Sequence, residues 1–354
     1  MSERVLMKGN EALAEAALRA GCRNFFGYPI TPQTEVAAYM SKQLPKVGGV
    51  YMQAESEVSA INMVLGCGAS GKRALTSSSS PGISLKTEGI SYMAGSDVPA
   101  VIVNVQRGGP GLGGIQPSQS DYWQATRAPG HGDLHIIVLA PSTVQEMVDL
   151  MMGAFDIAEK YRMPAMILAD GMLGQMMEPV EIPEAVDVSK IEKPWATNGH
   201  RNKRPHNIIN SLYIEAQELE SIVKARFERY EQIKANEQRA ECFMTDDSEI
   251  TIVAYGACAR VAKNAVRAAR EKGIKAGLIR PITLWPFPTD AVRNAAATTK
   301  TFISVEMSMG QMVDDVRLAV NGAVPVEFFG RTGGVIPTPN EVLAQIEKYA
   351  GGTK

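Results

Sequence analysis

Residues 9–20 (GNEALAEAALRA) set apolar side chains at helical spacing and stop at Gly21, a residue that readily ends a helix. A short apolar run at 24–26 reads as a strand that empties into Tyr28-Pro29-Ile30-Thr31-Pro32. Strand-like runs recur at 49–53, 73–77, 100–106, 135–139 and 165–169, separated by helical patterns such as 142–161. This alternation predicts an α/β fold, a parallel sheet covered by helices on both faces. The rhythm breaks between about 183 and 247. Residues 183–205, rich in Pro, Asn and Lys, read as an extended linker. Residues 211–240 read as a long charged amphipathic helix, either a solvated spacer or a face for a partner. From 249 the alternation returns, with strands at 250–255, 275–280, 301–306 and 325–329 and helices at 260–272 and 340–349. The chain therefore divides into 1–183, 184–247 and 248–354, the last a second and smaller α/β unit.

Composition narrows the function classes. At 354 residues the chain can bury two cores, and 45% hydrophobic with 21% charged residues is ordinary for a soluble globular enzyme. A net charge of -2 gives no broad attraction to nucleic acid, and the basic stretch at 200–204 reads as a solvated loop. No apolar run reaches the roughly 18 residues of a membrane span. The start, Met1-Ser2-Glu3-Arg4, lacks the layout of a signal peptide, so the expected location is cytoplasmic. Cys22, Cys67, Cys242 and Cys258 are scattered without a C-x-x-C, which argues against a cluster, a zinc site or a disulfide framework within this chain. His131 and His135 have no ligand-like partners, and no metal site is expected here. If the protein is a redox enzyme, its electrons leave through another chain.

In an open parallel sheet, ligands bind at the carboxyl ends of the strands. The loops there are YPITP (28–32), QAESE (53–57), TSSSSPG (76–82), QRGGPGLGG (106–114) and ADGMLG (169–174). One edge thus gathers hydroxyls, glycines, a carboxylate and an arginine. Glu55 and Glu57 stand where a strand gives way to a helix. They read as acids favoured by the helix dipole, or as a carboxylate offered to a basic heterocycle nitrogen. Thr31, between two prolines, is a turn residue or a fixed hydroxyl. Arg107 is a surface ion-pair partner or a grip for a substrate carboxylate. The glycines at 108–114 do not form a G-x-G-x-x-G fingerprint, and no P-loop is present. Ala169-Asp170-Gly171 superficially imitates a diphosphate–magnesium motif but reads as a strand-end turn.

Taken in order, these pieces resemble the α subunit of the 2-oxoacid:ferredoxin oxidoreductases over nearly the whole chain. YPITP, MQAESEVSAINMVLGCGASG, TSSSSPGISLKTEG and NVQRGGPGLGG carry the first part; RPITLWPFP, VEMSMGQM and GRTGGVIPTPNEV carry the second. The wording looks most like the branched-chain members acting on 3-methyl-2-oxobutanoate (2-ketoisovalerate). The resemblance implies a thiamine-diphosphate pyrimidine-binding domain at 1–183, a linker and long helix at 184–247, and a transketolase C-terminal-like domain at 248–354. It implies that Glu57 hydrogen-bonds the ring nitrogen N1′ of the aminopyrimidine, with Tyr28 and Pro29 as further cofactor-binding positions. Thr31 would face the substrate, and Arg107 would bind its carboxylate. The reaction implied is oxidative decarboxylation to acyl-CoA and carbon dioxide with reduction of ferredoxin. Magnesium and the diphosphate site would come from a β subunit, [4Fe–4S] clusters from a ferredoxin-like subunit, and a γ subunit would complete some assemblies. Three rival readings stand beside it. They are a 2-oxoglutarate or pyruvate enzyme of the same kind, the β subunit of a lipoamide-linked dehydrogenase, and a scaffold subunit without chemistry.

Overall fold

The computed structural model describes residues 4–351 and builds two sheets and a short ribbon. The first sheet has seven strands, in the order Thr283–Trp285, Ile137–Leu139, Ala165–Asp170, Val101–Gln106, Ala74–Ser78, Asn24–Gly27 and Val50–Gln53. Every pairing in it is parallel except the first, which is antiparallel. The three central strands are buried along their whole length, as expected of a sheet covered on both faces. The covering helices include Gly9–Arg19, Glu57–Ala69, Ser80–Gly95 and Val144–Tyr161. Each Val, Ile or Leu that they and the strands bury stabilises the fold by about 1.5–3 kcal/mol.

The second sheet runs Val326–Gly330, Thr301–Glu306, Ile250–Val253, Ala276–Pro281 and Ala240–Phe243, with the last strand antiparallel. Its helices are Gly256–Glu271, Met312–Val320 and Pro339–Ala350, together with the short Thr289–Ala295. The two sheets do not stand apart. Strand Thr283–Trp285 comes from the later part of the chain yet completes the first sheet against Ile137–Leu139. Gln119 donates from its backbone to the Met307 carbonyl (2.9 Å) and from its amide to the Tyr255 carbonyl (2.8 Å). The Tyr122 hydroxyl donates to Asp315 at 2.6 Å, and Arg280 grips Glu146 at 2.7 Å.

The expected strand at 135–139 starts only at Ile137. His135 is drawn instead into an aromatic cluster, stacked on Trp285 (4.6 Å) with its N–H donated to the Tyr230 hydroxyl (3.2 Å). The expected helix at 211–240 is Ala216–Asn236, and its predicted tail becomes strand Ala240–Phe243. The Glu237 carboxylate stops the helix by accepting from Lys160 and Tyr161, both at 2.8 Å. Neither reading of the helix stands alone. Arg226, Tyr230 and Ile233 pack on the same chain, with Arg226 donating to the Gly95 carbonyl at 3.1 Å, and the rest of the helix faces outward. The ribbon Arg4–Lys8 with Met177–Glu181 and the helix Met312–Val320 fall outside the elements expected from the sequence, although the buried Met312, Val313, Val316, Ala319 and Val320 follow helical spacing. Residues 1–3, part of the stretch considered as a leader, lie outside the described residues. Among the described residues no helix is long and apolar enough to cross a membrane.

Candidate active site

Glu57 opens the helix Glu57–Ala69, whose N-cap Ser56 accepts the Ser59 N–H at 3.2 Å. The strand Val50–Gln53 lies at the sheet edge, so this helix start stands at the carboxyl end of the strands. The structure separates the two acids that the sequence leaves equivalent. Glu55 is exposed and accepts from Ser59 of the helix that follows it, which lowers its carboxyl below the usual range. Glu57 is 6% exposed, and among the described residues no hydrogen bond reaches its carboxylate. It lies instead against Gly82, in the first turn of helix Ser80–Gly95. A Cβ at Gly82 would fall 2.6 Å from Glu57 Oε1 and 2.1 Å from Ser78 Oγ. The Ser78 and Ser79 hydroxyls beside it are buried with no partner among the described residues.

A buried carboxylate and two orphaned hydroxyls gather at this helix start, where Gly82, lacking a Cβ, lets Glu57 and Ser78 pack closely against the helix. A flat nitrogen heterocycle fits this donor and acceptor set. The carboxylate would hold its ring nitrogen. The residues present therefore suit the pyrimidine half of thiamine diphosphate.

Lys86 lies one helical turn beyond Gly82 and is fully buried, its ammonium donating to Thr76 Oγ1 at 2.9 Å. Burial pushes it down to about 8, against the pull of Glu57. Between about 8 and the ordinary lysine value of 10.5 the unfolded chain holds more protons than the native one. Stability from this residue thus rises with pH across that window, and the full cost of burying the ammonium is present below it. Lys86→Met is expected to be more stable than the wild type at pH 7, by about 2 kcal/mol. The margin should shrink toward pH 10, and denaturant titrations across pH check it.

Arg107 and Thr31 are brought together. Arg107 Nη1 donates to the Thr31 carbonyl at 2.8 Å, and Nη2 to the Leu112 carbonyl at 3.3 Å. Its Nε is buried without a partner, and the residue as a whole is 9% exposed. Its backbone N–H donates to Ser80 Oγ (3.1 Å), and Ser80 in turn donates to Asp121 at 2.6 Å. The arginine is thus tied to the helix start that carries Gly82. Burial raises the Asp121 carboxyl, against hydrogen bonds from Ser80 and Asn104. Tyr28 and Pro29 lie exposed on the loop after strand Asn24–Gly27, where the Tyr28 carbonyl accepts from Gln33 at 3.3 Å. Clefts of about 690 and 660 Å³ flank the Arg107 loop. One is lined by Thr31, Pro117 and Met172, the other by Ser80, Gly109 and Asp121. A cleft of about 880 Å³ lies at the opposite strand ends, beside Arg23, Lys72 and Arg73. That edge carries more charge than the sequence reading allowed, but Arg73 and Lys193 there are both paired with Glu159.

The turn at Ala169-Asp170-Gly171 ends a strand, as read. Asp170 caps the helix Gly171–Gln175 through the Met172 (2.9 Å) and Leu173 (3.1 Å) N–H groups, and burial raises its carboxyl to about 6. The glycines at 108–114 close a loop on themselves, the Gly114 N–H donating to the Gly108 carbonyl at 3.0 Å. Among the described residues no three His, Cys, Asp or Glu side chains gather as a metal site. Sequence reasoning missed Gly82 and Lys86. The available signal was a lysine at 86 within the apolar stripe 83, 90 and 93 of a helix that follows a buried strand.

Residues 15–245 match the thiamine-diphosphate-binding family of pyruvate flavodoxin/ferredoxin oxidoreductases, and residues 248–342 match core domain II of pyruvate:ferredoxin oxidoreductase. The chain is 49% identical over 346 residues to the ketoisovalerate oxidoreductase subunit VorB of Methanothermobacter marburgensis, with 98% of each chain covered. The chain belongs to the 2-oxoacid:ferredoxin oxidoreductases. It is also 39% identical to the 2-oxoglutarate synthase subunit KorA of Methanothermobacter thermautotrophicus, covering 98% of this chain and 99% of that one. The 2-oxoglutarate:ferredoxin oxidoreductase of Magnetococcus marinus, solved with 2-oxoglutarate, coenzyme A and succinyl-CoA bound, superposes with a TM-score of 0.86 at 26% identity. The match covers 99% of this chain and 66% of that one. A split-gene transketolase, at TM-score 0.60 and 14% identity over 98% of both chains, shares the fold. The expected fold class is thereby borne out, with a thiamine-diphosphate-binding part and a second α/β part. In this oxidoreductase family the named relatives are subunits, and the enzyme is the complex.

Proposed function

We propose that this oxidoreductase subunit presents the pyrimidine side of a thiamine-diphosphate site shared with a partner chain. The complex would decarboxylate 3-methyl-2-oxobutanoate oxidatively, giving acyl-CoA and carbon dioxide and reducing ferredoxin. The observation that carries this is the Glu57 carboxylate, buried, free of hydrogen bonds from the described residues and set against Gly82. When bound, thiamine diphosphate supplies the nucleophilic carbon and the electron sink that decarboxylation needs. Glu57 holds and exchanges a proton at ring nitrogen N1′. Tyr28 and Pro29 border the cofactor from the neighbouring loop, and Thr31 faces the substrate. Arg107 binds the 2-oxoacid carboxylate. Its unpaired Nε and weakly engaged Nη2 form the side that a bidentate carboxylate would take.

Removing that pair with Arg107→Lys is expected to raise KM for the 2-oxoacid about 10-fold or more, with a smaller change in kcat. An unchanged KM in steady-state assays removes the role. The boundary near 247 stands with this reading, supported by the break between the two family matches at 245–248, while the first match runs on through 183. Asp170 serves as a helix cap, which supports placing magnesium and the diphosphate on a β subunit. The scattered cysteines support placing the [4Fe–4S] clusters on a ferredoxin-like subunit, with a γ subunit as a further partner and the cytoplasm as the location. The testing experiment is a panel of 2-oxoacids with coenzyme A and a viologen acceptor, run on the assembled complex. The highest kcat/KM is expected for 3-methyl-2-oxobutanoate. The 39% identity to the KorA relative favours 2-oxoglutarate as the second reading, and a preference for it would overturn the substrate assignment.

A further inference from the structure

The two clefts that flank the Arg107 loop differ in chemistry. The one of about 660 Å³ takes in Ser84, Asp121, Gln124 and Gln311, so hydroxyls, amides and a carboxylate face it. The one of about 690 Å³ is walled by Pro32, Ile115, Pro117, Met172, Met176 and Ile336. Thr31 lines this apolar cleft and not the polar one. Arg107 is fastened to the same wall. Its Nη1 donates to the Thr31 carbonyl at 2.8 Å, and its backbone pairs with Pro117 in an isolated antiparallel bridge. A 2-oxoacid held by its carboxylate on Arg107, with Thr31 facing it, has its remaining carbons beside the apolar cleft.

Both α/β units build its walls. Met172 belongs to the helix Gly171–Gln175, where its N–H donates to the Asp170 cap at 2.9 Å. Ile336 comes from the second unit. Two residues before it, Gly334 takes a φ of +95° and packs so tightly that a Cβ there would fall 2.4 Å from the Gln116 Cβ. Met172 and Ile336 are half-buried and rest on the second hydrophobic core, which fixes them as walls. Among the described residues lining this cleft there is no lysine, arginine or histidine. Its one charged group is the Glu35 carboxylate, which accepts from Asn10 and Gln175, both at 2.9 Å. Lys8 reaches Glu35 and Gln175 at 3.4 Å each and does not line the cleft. A second carboxylate entering here would meet apolar surface and another acid, with no cation to pair with. An aliphatic group would lose its contact with water at no such cost. The cleft is much larger than an isopropyl group, so polarity rather than close fit does the choosing.

We propose that the Thr31 cleft receives the side chain of the 2-oxoacid, and that Met172 and Ile336 on its walls select an aliphatic chain over one ending in a second carboxylate. The proposal rests on the roles of Thr31 and Arg107 given above. It assigns to this chain the choice between 3-methyl-2-oxobutanoate and 2-oxoglutarate. The polar cleft on the other side of the loop gives a second carboxylate no better place, because its one charged lining residue is the acid Asp121.

The test measures kcat/KM for 3-methyl-2-oxobutanoate and for 2-oxoglutarate in the assembled complex, for wild type and the opposed pair Met172→Lys and Met172→Glu. Either charge on the wall should lower kcat/KM for 3-methyl-2-oxobutanoate about 10-fold or more. For 2-oxoglutarate the pair should diverge, with kcat/KM rising about 10-fold in M172K and falling in M172E. General damage to the fold would move both variants alike, so the divergence reports charge at the side chain of the substrate. Ile336→Lys and Ile336→Glu repeat the comparison from the other wall if the pair at 172 does not assemble. The same ratio of the two kcat/KM values in the lysine and glutamate members overturns the proposal. Arg107→Lys tells that failure from a failure of the underlying reading. A raised KM for both 2-oxoacids in R107K beside equal ratios in the pair removes the cleft alone, whereas an unchanged KM in R107K removes the Arg107 role on which the cleft depends.

Discussion

Replacing Glu57 with Gln is expected to lower 2-oxoacid-dependent viologen reduction by the assembled complex about 10²–10⁴-fold, the range that loss of a positioned proton carrier produces. The side chain keeps its volume, so the packing against Gly82 is preserved. Its place in the first helical turn favours a carboxylate by only about 0.3–1 kcal/mol, so the melting temperature should change by a few degrees at most. The two measurements together separate chemistry from folding. An amide can still hydrogen-bond the ring nitrogen but cannot give up and retake the proton there. Activity within a few-fold of wild type would refute the assignment.

Gly82→Ala carries the second large effect. A methyl group at 82 would fall 2.1 Å from Ser78 Oγ and 2.6 Å from Glu57 Oε1, so both must move. Ser78 lies on a fully buried strand and Glu57 is buried as well, so neither yields freely. Overpacking of this kind costs about 1–3 kcal/mol, against about 1 kcal/mol gained by alanine over glycine in a helix. The fold should persist with a melting temperature a few degrees lower. The Glu57 carboxylate is displaced by an ångström or more. Misplacement on that scale costs about 10²-fold in rate. Kinetics and calorimetric titration with thiamine diphosphate check this: lower activity and weaker binding are expected, and normal values for both would show that Gly82 does not border the cofactor.

These effects trace to residues of different legibility. Glu57, Thr31 and Arg107 were readable because each stands in a loop after a strand, and a parallel sheet collects such loops at one edge. The resemblance then gave each a role. Spacing does not choose between Glu55 and Glu57, since both adjoin the same helix start, and the resemblance points to Glu57. The structure adds that Ser59 reaches Glu55 and that Glu57 packs against Gly82. Gly82 and Lys86 are not legible in this way, because their meaning depends on a neighbouring helix and strand.

The sequence by itself determined the alternation of strands and helices, the interruption near 183–247 and the loaded loops, since each follows from periodicity or from turn-forming residues within a short window. Tertiary structure decided what joins distant windows. The strand Thr283–Trp285 crosses to the first sheet, the helix Ala216–Asn236 lays Tyr230 edge-on against the stacked His135 and Trp285, and Arg107 meets the Thr31 carbonyl. It also decided which charged side chains are buried. Glu57 and Lys86, 29 positions apart, are both removed from water by packing, and no local pattern encodes that burial.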